Sequence, residues 1–162
     1  MVEDELRRQE SRLTPINDAY PTCKSLNLEL RIYRDRGRSS DFTSILGMEP
    51  TDSQDRGAIV VNDLGRARET PLTRWFLSSS SQVQSRDVRK HLDWLLSRLA
   101  PAGHALRAIQ QLEGVRMTVN CRWWSDLGDG GPTIWPEQMQ GLTDLNLELT
   151  FDIGFAGSDE DD

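Results

Sequence analysis

Apolar and polar positions alternate in two segments that lie near opposite ends of the chain. The pentapeptide Leu-Asn-Leu-Glu-Leu occurs at Leu26–Leu30 and again at Leu145–Leu149, and both copies continue the alternation beyond their last leucine. A period of two is typical of a strand that buries one face. The pattern predicts strands over 26–34 and 145–155, and therefore one sheet that draws on both ends of the chain.

The segments between these strands carry patterns of single helices and strands. In chain order they predict a helix over 42–46 that Asp41 caps and Gly47 ends, strands over 58–61 and 73–78, a helix that Ser85 caps and Pro101 interrupts, a strand over 115–124 and a helix over 135–143. The first six elements have a ferredoxin-like order. We therefore expect an α+β fold, with a mainly antiparallel sheet of about five strands and helices on one face.

The length of 162 residues favours a single domain that needs no disulfide or metal to fold. We expect residues 1–25 to form a partly disordered N-terminal appendage, 26–155 the domain, and 156–162 an acidic disordered tail. The chain has only two cysteines, and Cys121 occupies an apolar strand position, so we expect a buried structural thiol there.

The net charge of -7 narrows the classes of partner. Nucleic acid is not expected, because phosphate binding needs a positive surface, whereas a basic protein partner fits. The sequence lacks the roughly 20 apolar residues of a membrane span, and its charged start lacks a signal peptide's apolar core. We expect no membrane association and a cytoplasmic location. A homodimer through an exposed sheet edge is compatible with the pattern.

The sequence has no spacing typical of catalysis, of a cofactor or of a metal site. The glycines at 128–131 lack the lysine of a phosphate-binding loop, and the serines at 78–81 lack the context of a nucleophile. His91, Asp93 and His104 do not have a metal-ligand spacing. We predict no catalytic residue, no cofactor and no metal, and we expect His91 to form a hydrogen bond to a loop.

Tryptophan is the residue type that best indicates a binding surface. Trp123 and Trp124 must point to opposite faces of their strand, and Trp94 lies away from the apolar stripe of its helix. The cover for these rings is either the N-terminal segment or a second helix layer, or else a partner or ligand, because Trp and Arg are favoured interface anchors. The candidate surface consists of His91, Trp94, Arg116, Arg122, Trp123 and Trp124.

Charge pairing within the sheet is the alternative to a partner surface. Glu29, Glu148 and Asp152 occupy outward positions of the two terminal strands. If those strands neighbour the strand over 115–124, the carboxylates pair with arginines across the sheet instead of binding a partner.

Five short motifs follow one another in a recognisable order. They are Leu46–Thr51, Trp75–Ser79, His91–Leu96, Cys121–Trp123 and the terminal run Leu147–Ile153. Their order resembles that of the bacterial family catalogued as domain of unknown function 4279, over about residues 25–155. The resemblance implies a small cytosolic α+β domain and no assigned activity.

Three kinds of function fit these observations. The first is a non-enzymatic protein-interaction module with an acidic surface and an aromatic patch. An immunity-type inhibitor of a basic toxin would be one form of it, by loose analogy with other small acidic bacterial domains. The second is a small-ligand binding or sensing module whose pocket is the open sheet face near Arg122 and Trp124. The third is an enzyme whose active site the sequence does not reveal.

Overall fold

A computed structural model describes residues 2–155, which form helices and strands. The predicted tail over 156–162 lies outside the described residues. The elements are α1 Val2–Glu10, β1 Cys23–Arg34, α2 Ser39–Leu46, β2 Asp52–Gln54, β3 Ile59–Val61, β4 Ala67–Glu69, β5 Thr73–Ser78, α3 Val88–Leu99, a 3-10 turn Ala100–Ala102, α4 Gly103–Gln110, β6 Val115–Ser125, α5 Pro136–Asp144 and β7 Leu149–Phe155.

The main sheet has five strands in the order β2-β5-β1-β6-β7. The first four pair antiparallel, and β7 pairs with β6 in parallel after the crossover through α5. The order β2-β5-β1-β6 is that of a ferredoxin-like arrangement. The predicted α+β fold is confirmed, and the added parallel strand makes the sheet mixed.

The core lies between one face of this sheet and the helices. Leu30 of β1 lies opposite Leu77 on one side and Val119 on the other, and all three side chains are buried. Leucines of α3 and α4 pack over them. Cys121 shares this face, and burial raises the pKa of its thiol to about 12. The buried thiol predicted at Cys121 is confirmed.

The opposite face of the sheet carries the alternate residues of the same strands, and we call it the uncovered face. Its side chains are mostly half-buried or exposed. No helix within residues 2–155 lies over it.

Helix α2 begins three residues earlier than predicted. Ser39 donates two hydrogen bonds to Asp55 Oδ1, one from its backbone N–H and one from its hydroxyl, both at 2.8 Å. These bonds lower the pKa of Asp55 and satisfy the first free N–H of the helix. Asp41, the predicted cap, lies in the first turn instead. Gly47 ends the helix as predicted, with a left-handed φ of 67°.

A fully buried ion pair at the start of α3 anchors the N-terminal segment. Arg89 Nη2 lies 2.7 Å from Asp87 Oδ2. Burial opposes the charged form of Asp87, but hydrogen bonds from Arg89 and from the backbone N–H of Asn17 outweigh it and lower the pKa. Arg89 also donates to the carbonyl oxygens of Thr14 and Pro15. The pair therefore ties residues 14–17 to the helix layer.

Trp135 extends this anchor. Its ring has the guanidinium groups of Arg12 and Arg89 each 4.6 Å from the ring centroid. Arg12 in turn donates two hydrogen bonds of 2.7 Å to the carboxylate of Glu137. A residue from the N-terminal segment thus covers Trp135, which is not one of the three rings for which the sequence predicted a need of cover.

The predicted boundary of the domain at residue 25 falls inside β1, which begins at Cys23. Tyr20 and Cys23 belong to the core, so residues 20–25 are part of the domain. Helix α1 contributes no buried residue. The partial disorder expected for the start of the chain stays a prediction.

The predicted strand over 58–61 exists as β3, but it does not join the main sheet. It pairs with β4 in a separate two-stranded hairpin. Ile59, Val61 and Leu64 of this hairpin are exposed. The hairpin is an insertion between β2 and β5.

The second copy of the pentapeptide does not start a strand. Leu145 is the C-cap of α5, and Asn146 adopts a left-handed φ of 52°. The backbone N–H of Leu147 bonds back to the carbonyl of Leu142. Strand β7 therefore begins only at Leu149, four residues later than predicted.

The buried face predicted for this last strand is confirmed for Leu145 and Leu147, and Leu149 is half-buried, but it is wrong for Phe151 and Ile153. Phe151, Ile153 and Phe155 lie on the helix side of the sheet, but they are 40%, 59% and 50% exposed. Because β7 is the outermost strand, the helix layer does not extend over them.

Candidate functional site

An aromatic and cationic cluster occupies one part of the uncovered face. Tyr33 and Phe76 meet edge to face, with ring centroids 5.5 Å apart. The guanidinium groups of Arg31 and Arg74 lie 5.3 and 5.4 Å from the centroid of Phe76. Strands β1 and β5 place these four residues side by side, because Arg31 is the cross-strand partner of Phe76 and Tyr33 that of Arg74.

A second cluster lies on β6 and β7. A Cβ atom placed on Gly154 would lie 2.8 Å from ring atoms of Trp124, so the indole rests on β7 where only glycine leaves room. The guanidinium of Arg122 lies 5.4 Å from the Trp124 centroid, and its Nε is 4.0 Å from Asp152 Oδ2. The glycine thus fixes the position of the ring and of the arginine stacked on it.

The uncovered face is of mixed charge. Its arginines have carboxylate partners on the same face or at its rim. Of the three carboxylates that the charge-pairing alternative named, Asp152 pairs across the sheet with Arg122, Glu29 pairs with Arg31 of its own strand, and Glu148 has no ion pair within residues 2–155. The pairs are Arg31–Glu29 at 2.6 Å, Arg74–Asp52 at 3.2 Å, Arg116–Asp35 at 3.1 Å and Arg122–Asp152 at 4.0 Å.

The structure keeps three of the six candidate residues together. Arg116, Arg122 and Trp124 lie on the uncovered face. Trp123 is fully buried on the core face, so the assignment of this residue to a partner surface is wrong. Trp94 lies on α3, across the sheet from Trp124, and packs half-buried against the core. It therefore cannot share a binding surface with Trp124.

His91 is also removed from the candidate surface, because it is fully buried. Its Nε2–H donates to the carbonyl of Ser85 at 2.6 Å, and its Nδ1 accepts from Ser79 Oγ at 2.6 Å. The predicted hydrogen bond to a loop is confirmed. Desolvation lowers the pKa of His91, which favours the neutral ring. Asp87, and not Ser85, caps α3.

The Phe76 cluster is the part of the uncovered face that sequence reasoning missed. The signal was present, because Phe76 follows Trp75 in an alternating strand and must point away from the core. Arg31 and Tyr33 occupy outward positions of the first strand. Their meeting with Phe76 depends on the pairing of β1 with β5, which no local pattern specifies.

Two recesses lie at the surface, one beside α1 and one at the uncovered face. A cleft of about 680 Å³ lies beside α1, and four of the polar side chains that line it are paired with each other, Arg12 with Glu137 and Asp93 with Gln138. A recess of about 320 Å³ lies at one end of the uncovered face, beside Tyr33.

Within residues 2–155, no three His, Cys, Asp or Glu side chains are grouped as a metal ion would require. No helix in the described part of the chain is long and apolar enough to cross a membrane.

Comparisons with known proteins identify a family but no activity. No curated protein and no solved structure matches the chain. The family model described as domain of unknown function (DUF4279) matches residues 22–156, from the residue before β1 to the residue after β7. The match covers most of the chain, and the protein therefore belongs to the DUF4279 family.

Proposed function

We propose that this domain is a non-enzymatic protein-interaction module that holds a protein partner on the uncovered face of its sheet. The observation that carries the proposal is the stacking of guanidinium groups on Phe76 and Trp124, on a face that no described helix covers. Aromatic and arginine side chains are the residues that most often dominate the energy of protein interfaces.

In both clusters the rings and the arginines already contact each other in the chain alone. Gly154 positions Trp124, and Tyr33 and two arginines hold Phe76. Side chains that are already fixed lose little conformational entropy on binding, so more of their contact energy contributes to affinity. Arginine stacked on a ring also keeps donors free for a partner's carboxylate or carbonyl groups.

Charge supports a basic partner through long-range attraction more than through direct contact. The net charge of -7 would accelerate the encounter with a basic protein, whereas the uncovered face itself has balanced charges. An immunity-type inhibitor of a basic toxin remains one form of this proposal.

The test is capture from the native lysate followed by calorimetric titration of the captured protein. Arg122→Glu changes an exposed arginine of the uncovered face, and Arg98→Glu makes the same change on the exposed side of α3. We expect Arg122→Glu to weaken binding about tenfold or more, a loss of about 1.4 kcal/mol, and Arg98→Glu to leave the affinity within about twofold. Equal affinities of the two variants, or no specific partner at low or moderate salt, would contradict the proposal.

A small-ligand module is the second candidate, and the recess of about 320 Å³ beside Tyr33 favours it. Its volume is at the lower end of the range of ligand sites, and Arg116 and Glu148 supply polar groups at its wall. A thermal-shift screen of metabolites tests it. A ligand whose stabilising effect disappears in Tyr33→Ala would favour this function over the first.

A further inference from the structure

The outer edge of β7 has backbone groups that no strand within residues 2–155 pairs with. The N–H of Val119 donates to the carbonyl of Glu148 at 2.9 Å, and in a parallel ladder every second residue faces the neighbouring strand. The residues of β7 whose backbone faces β6 are therefore Thr150, Asp152 and Gly154. It follows that Leu149, Phe151, Ile153 and Phe155 direct their N–H and C=O groups outward.

The side chains beside this edge differ between the two faces of the sheet. On the helix side, Phe151, Ile153 and Phe155 form a row of exposed apolar groups. On the uncovered side, Glu148 and Asp152 are exposed carboxylates. An added strand would thus meet apolar groups on one face and negative charges on the other.

Further negative charge lies close to the same edge. The loop that follows β6 contains Asp126 and Asp129, both exposed, and it approaches Phe155 at Gly128. The surroundings of the edge are therefore acidic, although one of the carboxylates, Asp152, is also the partner of Arg122 on the uncovered face.

We propose that the outer edge of β7 binds an extended segment of a basic protein partner, which pairs with it as a sixth strand. The segment would alternate apolar residues, set against Phe151 and Ile153, with lysine or arginine, set against Glu148 and Asp152. A second copy of the chain fits less well, because pairing β7 with β7 would bring the carboxylates of both copies to one seam. The inference rests on the proposed function in that the partner is a protein, but it uses a different surface.

The experiment uses the full chain and a fluorescent peptide as long as β7 in which lysine and valine alternate. Its affinity is measured by fluorescence anisotropy. Ile153→Lys places a positive charge in the apolar row, and the matched control Ile59→Lys makes the same change at an equally exposed isoleucine of the β3–β4 hairpin, 67% against 59% exposed. We expect Ile153→Lys to weaken binding about tenfold or more and Ile59→Lys to leave it within about twofold.

Two further peptides separate strand pairing from simple charge attraction. A peptide of alternating glutamate and valine should not bind, and the lysine–valine peptide N-methylated at alternate residues should lose about tenfold in affinity, because it cannot donate to the outward carbonyls. Absence of binding by the unmodified peptide, or equal binding by the N-methylated one, would overturn the inference. So would a dimer of the unmodified protein that Ile153→Lys converts to a monomer, since that result assigns the edge to a second copy.

The peptide and capture experiments together distinguish failure of the edge proposal from failure of the proposed function. If the peptide does not bind but Arg122→Glu still abolishes capture of the lysate partner, only the edge is excluded. If the peptide binds and Arg122→Glu changes nothing, the edge is the interaction surface and the uncovered face is not.

Discussion

The two copies of Leu-Asn-Leu-Glu-Leu adopt different structures in one molecule. The first forms the middle of β1, where Leu28 and Leu30 are completely buried. The second begins as the end of α5, turns at Asn146 and reaches a strand only at Leu149. Identical local sequence therefore does not decide between a central strand and a helix end.

The number of neighbouring strands and helices explains why β1 is more deeply buried than β7. Strand β1 pairs with β5 on one side and β6 on the other, and α3 packs over it. Strand β7 has β6 on one side, and within residues 2–155 no strand on the other. A pattern of alternation describes which residues share a face, but the surrounding elements determine whether that face is buried.

The largest expected effect is on the free energy of unfolding, and it compares the last leucine of each copy. Leu30→Ala should lower the free energy of unfolding by about 2–5 kcal/mol, because it leaves a cavity in a fully buried site. Leu149→Ala, at the equivalent but only half-buried position of the second copy, should lower it by only about 1 kcal/mol. Urea denaturation measures both, and equal losses would show that β7 is as well covered as β1.

A smaller effect distinguishes the two asparagines. Asn146→Val should cost about 1–3 kcal/mol, since a β-branched residue is strained at a φ of 52°, whereas Asn146→Gly should change stability by less than about 0.5 kcal/mol. At Asn27, in extended β1, the order should reverse, with valine better tolerated than glycine. The same order at both positions in urea denaturation would contradict the left-handed turn.

The stability of the fold should depend on pH through His91, which is linked to the first copy by Ser79. The backbone N–H of Leu28 donates to Ser79 Oγ, which donates to the buried His91. Because desolvation lowers the folded-state pKa of His91, the unfolded chain takes up a proton first as the pH falls below about 6.5. The contribution of His91 to stability is present above that pH and is lost as the pH falls through the folded-state pKa. Urea midpoints should decrease from pH 7.5 to pH 5, and His91→Gln should reduce the slope.

The smallest effect is expected at the exposed end of the second copy's strand. Ile153→Thr should change stability by less than about 0.5 kcal/mol, because the side chain is already exposed and threonine suits a strand. Thermal unfolding provides the measurement. A loss of several kcal/mol would mean that the apolar row has a cover that residues 2–155 do not supply.

Alternation and helical spacing predicted most elements to within a few residues. The central strands β1, β5 and β6 were recognised because their core face is continuous along each strand. The opposed directions of Trp123 and Trp124 also followed from the pattern, but the choice of the buried ring did not, since it depends on the pairing of β6 with β1. The buried pair Asp87–Arg89 escaped prediction for the same reason, because its partners Thr14 and Pro15 are more than 70 residues away.

The Asp87–Arg89 ion pair and the Trp135 stack affect how much of the chain folds as one cooperative unit. A chain trimmed to the family-matched region, 22–156, would lose the carbonyl acceptors of Arg89 and the Arg12 side of the Trp135 stack. Water would then reach an ion pair that is now dry, and a tryptophan would become accessible to solvent. We therefore expect the unit that folds as a whole to begin before the matched region, at the segment around residues 12–17.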